Sequence, residues 1–156
     1  MSEALDYLAL HNLLHRDVRT YNMFLSHKPA LNEAMLERGD VMVRLGDFGM
    51  SIAANTYGAR RSLDAWQWNA PETIGQCTMF THASDVYSLA MCCFHICAHE
   101  LPFSEYDREG YAVRRDILRT GLRPTLPAFC NAQLVALIES MWNCLLYTSP
   151  SPRDRG

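Results

Sequence analysis

A mainly helical α+β fold with one small β hairpin follows from three features of the 156-residue chain. Residues 22–25 and 41–45, NMFL and VMVRL, are apolar runs of strand length separated by a polar connection. Residues 83–98, ASDVYSLAMCCFHICA, are almost wholly apolar after Ser84 and Asp85, which predicts a central helix buried on most sides. Two amphipathic stretches, 108–119 and 131–143, follow at helical spacing. With 49% hydrophobic and 20% charged residues, the composition is that of an ordinary globular domain, and the length suits one domain or a large piece of one.

In chain order, residues 3–14, EALDYLALHNLL, carry Leu5, Leu8 and Leu13 at a spacing that predicts a helix packed on the core. The two strands come next. Pro29 and the Gly39-Asp40 pair mark turns in the connection between them, with one helical turn expected at 31–36. Residues 50–69 are small and polar with no sustained period and read as loop. The helix at 83–98 starts near Ser84 or Asp85, and Gly121 stops the helix at 108–119. No internal repeat is present.

Composition excludes several functions. A net charge of −3 provides no basic field for nucleic acid. No apolar run has the length to span a bilayer, and the opening MSEALDYLAL has no basic leader before an apolar core. The six cysteines, Cys77, Cys92, Cys93, Cys97, Cys130 and Cys144, form no CxxC pair, so zinc-ligand spacing is missing. Three of them lie in the apolar helix, where thiols act as small hydrophobes. Reduced thiols point to the cytosol or nucleus, and a cytoplasmic location is expected, though a full-length protein could be membrane-anchored.

Chemistry-bearing residues cluster in order along the chain. His15-Arg16-Asp17 directly follows the apolar pair Leu13-Leu14, with Arg19 and Asn22 close behind. Asp47-Phe48-Gly49 ends the second strand, and Ala70-Pro71-Glu72 precedes the long helix. This ordered set resembles the signature of eukaryotic-type protein kinases. SDVYSLAMCCF (84–94), LPF (101–103), GLRPTLP (121–127) and LIESMWNC (137–144) follow in the same order, and the resemblance covers about residues 2–143. QWNAPE (67–72) and GLRPTLP are most similar to the tyrosine-kinase-like group, whose members are mainly serine/threonine enzymes; Arg19 and Trp68 are features shared with tyrosine kinases.

The resemblance implies the C-terminal lobe of a kinase domain over 1–143, using ATP and Mg2+ on a protein substrate. Asp17 would orient or accept the proton of the attacking hydroxyl, and Asn22 and Asp47 would hold magnesium, a hard cation suited to oxygen ligands. Arg19 would pair with the transferred phosphate. His15 is expected to be a packed structural residue and Phe48 a core aromatic whose packing can switch. Asp85 would hydrogen-bond the catalytic-loop backbone. Residues 50–69 resemble an activation segment in which Thr56, Tyr57 or Ser62 could be phosphorylated, with Arg16 receiving the phosphate. The plainer readings are an Asp17–Arg16 loop ion pair, Asn22 and Asp47 as turn formers, and an exposed polar loop at 50–69.

Several positions depart from the family pattern. The chain has no Gly-rich phosphate loop, no strand Lys for the phosphates and no helix Glu to pair with that Lys, so the N-terminal lobe is absent and this stretch alone is expected to be inactive. Met1 falls inside the pattern of the helix before the catalytic loop. After Trp142 the expected Arg-Pro pair is missing, which leaves Glu72 without its partner Arg. Residues 144–156 read as a tail outside the kinase pattern, either disordered or a translated adaptor read-through. Asp64-Ala65 replaces a Gly-Thr pair whose Thr contacts the catalytic Asp, and Ala90 replaces a Gly. The alternatives are a pseudokinase-type binding module and an incomplete gene product without a function of its own. Substrate, pathway, accessory domains and oligomeric state are not encoded in these features.

Overall fold

In a computed structural model of the chain, residues 2–26, 42–54, 65–74, 80–106 and 110–143 are described. The helical turn expected at 31–36, the hydroxyls of Thr56, Tyr57 and Ser62, and the tail 144–156 lie outside the described residues.

Helix α1, Ser2–Leu10, buries Leu5 and Leu8. It is shorter than the stretch 3–14 predicts. Asn12 adopts φ 55°, a left-handed conformation that Asn tolerates better than most residues and that turns the chain out of the helix. Leu13–Leu14 then forms β1, antiparallel to β4 at Ile52–Ala53, with Leu13 opposite Ala53 and Leu14 opposite Ile52. A two-residue strand has no period to read, so its apolar pair looks like more helix, and β4 is hidden in the segment expected to be loop.

The predicted hairpin is present. β2, Met23–Leu25, pairs antiparallel with β3, Val43–Leu45, with Met23 opposite Leu45. A single 3-10 turn, Thr20–Asn22, leads into β2, and another, Phe48–Met50, follows β3. A short helix that the sequence pattern did not suggest, α2 at Pro71–Ile74, begins with proline, whose fixed φ and missing N–H suit the first helical position.

The long apolar run forms α3, His82–Ala98. Thr81 is its N-cap. Its hydroxyl accepts from the Ser84 N–H at 3.3 Å while the Ser84 hydroxyl accepts from the Thr81 N–H at 3.1 Å, a reciprocal capping box. His99, at φ 56°, closes the other end with an N–H bond to the His95 carbonyl. Helix α4, Gly110–Thr120, ends at Gly121 with φ 70°, as the sequence predicts. Helix α5, Ala132–Asn143, is capped by Asn131, whose side chain accepts from the Leu134 N–H at 2.8 Å.

α3 is the axis of the core. Tyr87, Met91 and Cys92 are sealed from solvent together with Val113 and Ile117 of α4 and Ile138 and Trp142 of α5. Each such aliphatic or aromatic side chain contributes about 1.5–3 kcal/mol on burial. The first turn of this anchored helix carries Asp85, so the packing that fixes α3 also fixes the segment that Asp85 holds. No helix among the described residues is long and apolar enough to cross a membrane.

Candidate active site

Leu14 and Val18, both buried, pin the two sides of the HRD segment into the core. The three polar residues between them are buried too and need partners for that reason. Asp85 supplies two. One of its oxygens accepts the His15 N–H at 2.8 Å and the other accepts the Arg16 N–H at 2.9 Å. Burial raises the Asp85 carboxyl above its ordinary value, and the two N–H groups and His15 oppose that rise.

The His15 ring bridges strand and loop. Its Nε2 faces the Gly46 carbonyl at 3.1 Å, and Nδ1 accepts the Asp17 N–H at 3.3 Å. A carbonyl can only accept and an N–H can only donate, so the ring is neutral with its proton on Nε2. Burial lowers the His15 pKa from its ordinary value, against the pull of Asp85 and the Gly46 bond. His15 is fully buried, with both ring nitrogens bonded.

Arg16 sits at φ 68° with its guanidinium against the Phe80 ring, 4.3 Å from the centroid, and Nη1 donating to the Met50 carbonyl at 3.1 Å. Its Nε and Nη2 are buried with no hydrogen-bond partner among the described residues. The plainer reading of Arg16 and Asp17 as a loop ion pair is not what is seen: the ion pair of Asp17 is with Arg19, whose Nη2 lies 3.3 Å from Asp17 Oδ2.

The amide nitrogen of Asn22 donates both to the Asp17 carbonyl and to Asp17 Oδ2, each at 2.8 Å. Asp17 Oδ2 is therefore held from two sides, and its other carboxylate oxygen takes no bond among the described residues. Because Asn22 spends its nitrogen on Asp17, its amide oxygen is the atom left to accept or coordinate. The hairpin brings the third element in. The Asn22 carbonyl accepts the Gly46 N–H at 2.9 Å, so the residue after Gly46, Asp47, enters beside Asn22. Asp47 adopts φ 60° and one of its oxygens accepts the Gly49 N–H at 3.3 Å, while its side chain stays exposed. An amide oxygen and a carboxylate form a hard-oxygen donor set that fits a magnesium ion better than a soft metal. Among the described residues no group of three or more His, Cys, Asp or Glu is disposed to hold a metal.

Phe48 departs from expectation. It is not a core aromatic among the described residues: Phe48 is 52% exposed, and its ring meets His15 in an edge-to-face contact with centroids 4.9 Å apart. The 3-10 turn lifts it to the rim, where no described residue covers its outer face.

Glu72 makes no ion pair among the described residues; the Ser84 hydroxyl donates to its Oε1 at 2.7 Å. Burial raises its pKa, and Ser84 and the charge of Arg123 oppose that rise. Arg123 itself lies over the Tyr87 ring, 5.0 Å from the centroid, and donates to the carbonyls of Gly121, Leu122 and Trp142 at 3.1, 3.0 and 3.2 Å. Gly46, Ser84 and Arg123 thus support the site although residue patterns assign none of them a role in it. At Gly46 a Cβ would lie 2.8 Å from the Phe24 ring, a close approach that only the folded hairpin creates. A further tie joins the loop to α3, the Thr20 hydroxyl meeting His95 Nδ1 at 2.7 Å, with Tyr21 set edge-on to Trp68 at 5.8 Å.

Known proteins share this arrangement of sequence. Residues 1–152 match the protein tyrosine and serine/threonine kinase family. Over 90% of its length the chain is 36% identical to the probable serine/threonine-protein kinase qkgA of Dictyostelium discoideum, and over 92% it is 34% identical to the probable serine/threonine-protein kinase roco11 of the same organism. It is 27% identical, over 91% of its length, to the serine/threonine-protein kinase STY17 of Arabidopsis thaliana. The chain spans 8%, 9% and 22% of the lengths of these three relatives. With the HRD segment, Asn22 and the DFG turn assembled around one hairpin, and with this match over most of its length, the chain belongs to the protein tyrosine and serine/threonine kinase family.

Proposed function

We propose that these residues form the catalytic half-site of a kinase that transfers the γ-phosphoryl group of ATP to a serine or threonine hydroxyl of a protein. The observation that carries this reading is the Asp17 carboxylate, with one oxygen held by Asn22 and Arg19 and the other taking no hydrogen bond among the described residues. A carboxylate fixed in this way can orient a substrate hydroxyl and receive its proton without reorganising at the moment of transfer. Asn22 and Asp47 would hold magnesium, which when bound neutralises charge on the phosphates. Arg19, next to Asp17, would keep its carboxylate in register and meet the transferred group. Serine/threonine preference is supported by the three relatives, two probable serine/threonine-protein kinases and one serine/threonine-protein kinase.

The chain contains no G-x-G-x-x-G sequence, so a phosphate-covering loop of that kind would have to come from outside these residues. Its absence supports the expectation that the 156 residues alone transfer little or no phosphate. Arg16 supports regulation by phosphorylation of Thr56, Tyr57 or Ser62, since two of its buried nitrogens have no partner among the described residues. One observation favours a binding module instead: Ala65 is buried and offers no hydroxyl to Asp17.

The test is radiolabelled phosphate transfer by a complete kinase domain that contains these residues. Magnesium-dependent phosphoserine or phosphothreonine on a protein acceptor, lost in Asp47→Ala, is expected. A folded domain that binds ATP but transfers nothing would overturn the reading in favour of the binding module.

A further inference from the structure

Outside the half-site, helix α4 carries a face that the core does not use. Val113 and Ile117, four residues apart, are buried in the core, and a surface helix needs one such stripe. Tyr111, Arg114, Arg115 and Leu118 stand on another, at the i, i+3, i+4, i+7 spacing of a single helical face. Tyr111 is 71% exposed and Leu118 48% exposed. Together with Ile74, buried at the end of α2, these four residues line a cleft of about 320 Å³. The cleft has a firm frame. The Arg114 guanidinium lies 6.0 Å from the centroid of the Trp66 ring, and Trp66 stacks on Phe103 with centroids 5.9 Å apart. A Cβ on Gly110 would come within 3.2 Å of the same Trp66 ring, so the start of α4 is pressed against it. The charge of the face is one-sided. α4 bears Arg114, Arg115 and Arg119 against a single carboxylate, Asp116, although the chain as a whole carries −3. Arg115 Nε meets Asp116 sideways at 3.3 Å, a pair between adjacent residues that leaves the face net positive. Tyrosine and arginine around a small apolar recess are the residue types that anchor protein interfaces.

We propose that this face of α4 is a docking site for an acidic segment of another protein, which seats one apolar side chain in the cleft over Ile74 and lays its carboxylates on Arg114, Arg115 and Arg119. Charge complementarity selects that occupant: carboxylates answer the arginines and the apolar side chain answers Ile74 and Leu118. A membrane is the weaker match. Holding a protein on an anionic bilayer takes a cluster of about 4–8 basic residues, and α4 has three arginines. A recess also asks for one shaped apolar group, which a protein segment supplies and a lipid surface does not. Docking here needs no phosphoryl transfer, so it stands or falls apart from the role of Asp17.

The test titrates the purified 156-residue chain with a fluorescein-labelled synthetic peptide, EEDELFEEDE, followed by fluorescence anisotropy and by nitrogen-edited NMR. The expected result is saturable one-to-one binding that weakens as salt is raised, with shift changes gathered at Ile74, Tyr111, Arg114, Arg115 and Leu118. Arg115→Glu and Leu118→Glu, both at exposed side chains, should each weaken binding about fivefold or more while the melting temperature stays close to that of the native chain. Replacing the central Leu-Phe of the peptide by Gly-Ser should also weaken it, and the reversed-charge peptide KKRKLFKKRK should not compete. No saturable binding, shift changes on another face, equal binding of the reversed-charge peptide, tighter binding to phosphatidylserine vesicles than to the acidic peptide, or self-association of the chain that Leu118→Glu abolishes would each overturn the proposal. The shift map of the native chain decides the matter even if a variant fails to fold.

Discussion

The two carboxylate oxygens of Asp85 hold the N–H groups of His15 and Arg16 at 2.8 and 2.9 Å, across 70 and 69 residues of chain. This pair of bonds keeps Arg16 in its left-handed conformation at φ 68°, which costs a non-glycine residue about 1–2 kcal/mol. Asp85→Ala leaves two buried N–H donors unpaired and is expected to lower stability by about 2–5 kcal/mol. That is a large share of the roughly 5–15 kcal/mol typical of a domain. Urea denaturation of the two proteins measures it. Asp85→Asn keeps a single acceptor and should fall between them.

The neutral His15 ring has a pH consequence. Because burial lowers its folded pKa below the ordinary 6.5, the unfolded chain takes up a proton that the folded chain refuses. Stability contributed by His15 is complete above 6.5 and falls as pH drops from there toward the lowered folded value. Protonation would also remove the Nδ1 acceptor that holds the Asp17 N–H. Asp85 and Glu72, both raised by burial, act in the opposite direction: their contributions are complete at low pH and lost as pH rises through their raised values. Ring-nitrogen NMR shifts separate these groups. His15 should remain an Nε2–H neutral ring at pH 6.5, and a half-protonated ring at or above that pH would contradict the bonding described.

Arg123 joins three backbone carbonyls, an aromatic face and the charge of Glu72. Its guanidinium also meets the negative end of α5. Arg123→Ala is expected to cost about 2–3 kcal/mol, and Arg123→Lys about 1–2 kcal/mol, because an ammonium keeps the charge but cannot fork between carbonyls. Equal stability of the lysine variant and the native chain in denaturant titration would show that only charge matters there.

Much of the site was legible because its residue types are unusual where they stand. A buried loop does not carry His15, Arg16, Asp17 and Asn22 without a reason, and their order with Asp47 and Glu72 marked the family. The long helices were legible from periodicity. What escaped were short elements and partners brought together only by folding. β1 and β4 have two residues each, too few for a pattern. The exposure of Phe48 depends on what lies over the turn, and a phenylalanine reads as core whenever its neighbours are unknown. Ser84 looked like a helix start, which it is, but its second bond to Glu72 depends on where α2 packs. Arg123 stood only within the family-like stretch GLRPTLP, and its reach to Trp142 depends on α5.

The central claim is that a carboxylate held by Asn22 and Arg19 directs the attacking hydroxyl, and Asp17→Asn tests it most directly. The substitution preserves size and the carbonyl contact with Asn22 while removing the charge and the proton acceptor. In a complete kinase domain containing these residues, single-turnover phosphoryl transfer to protein should fall by about 10²–10⁴-fold, with ATP affinity and melting temperature close to those of the parent. Transfer within a few-fold of the parent, in a variant shown to fold and bind ATP, would contradict the account.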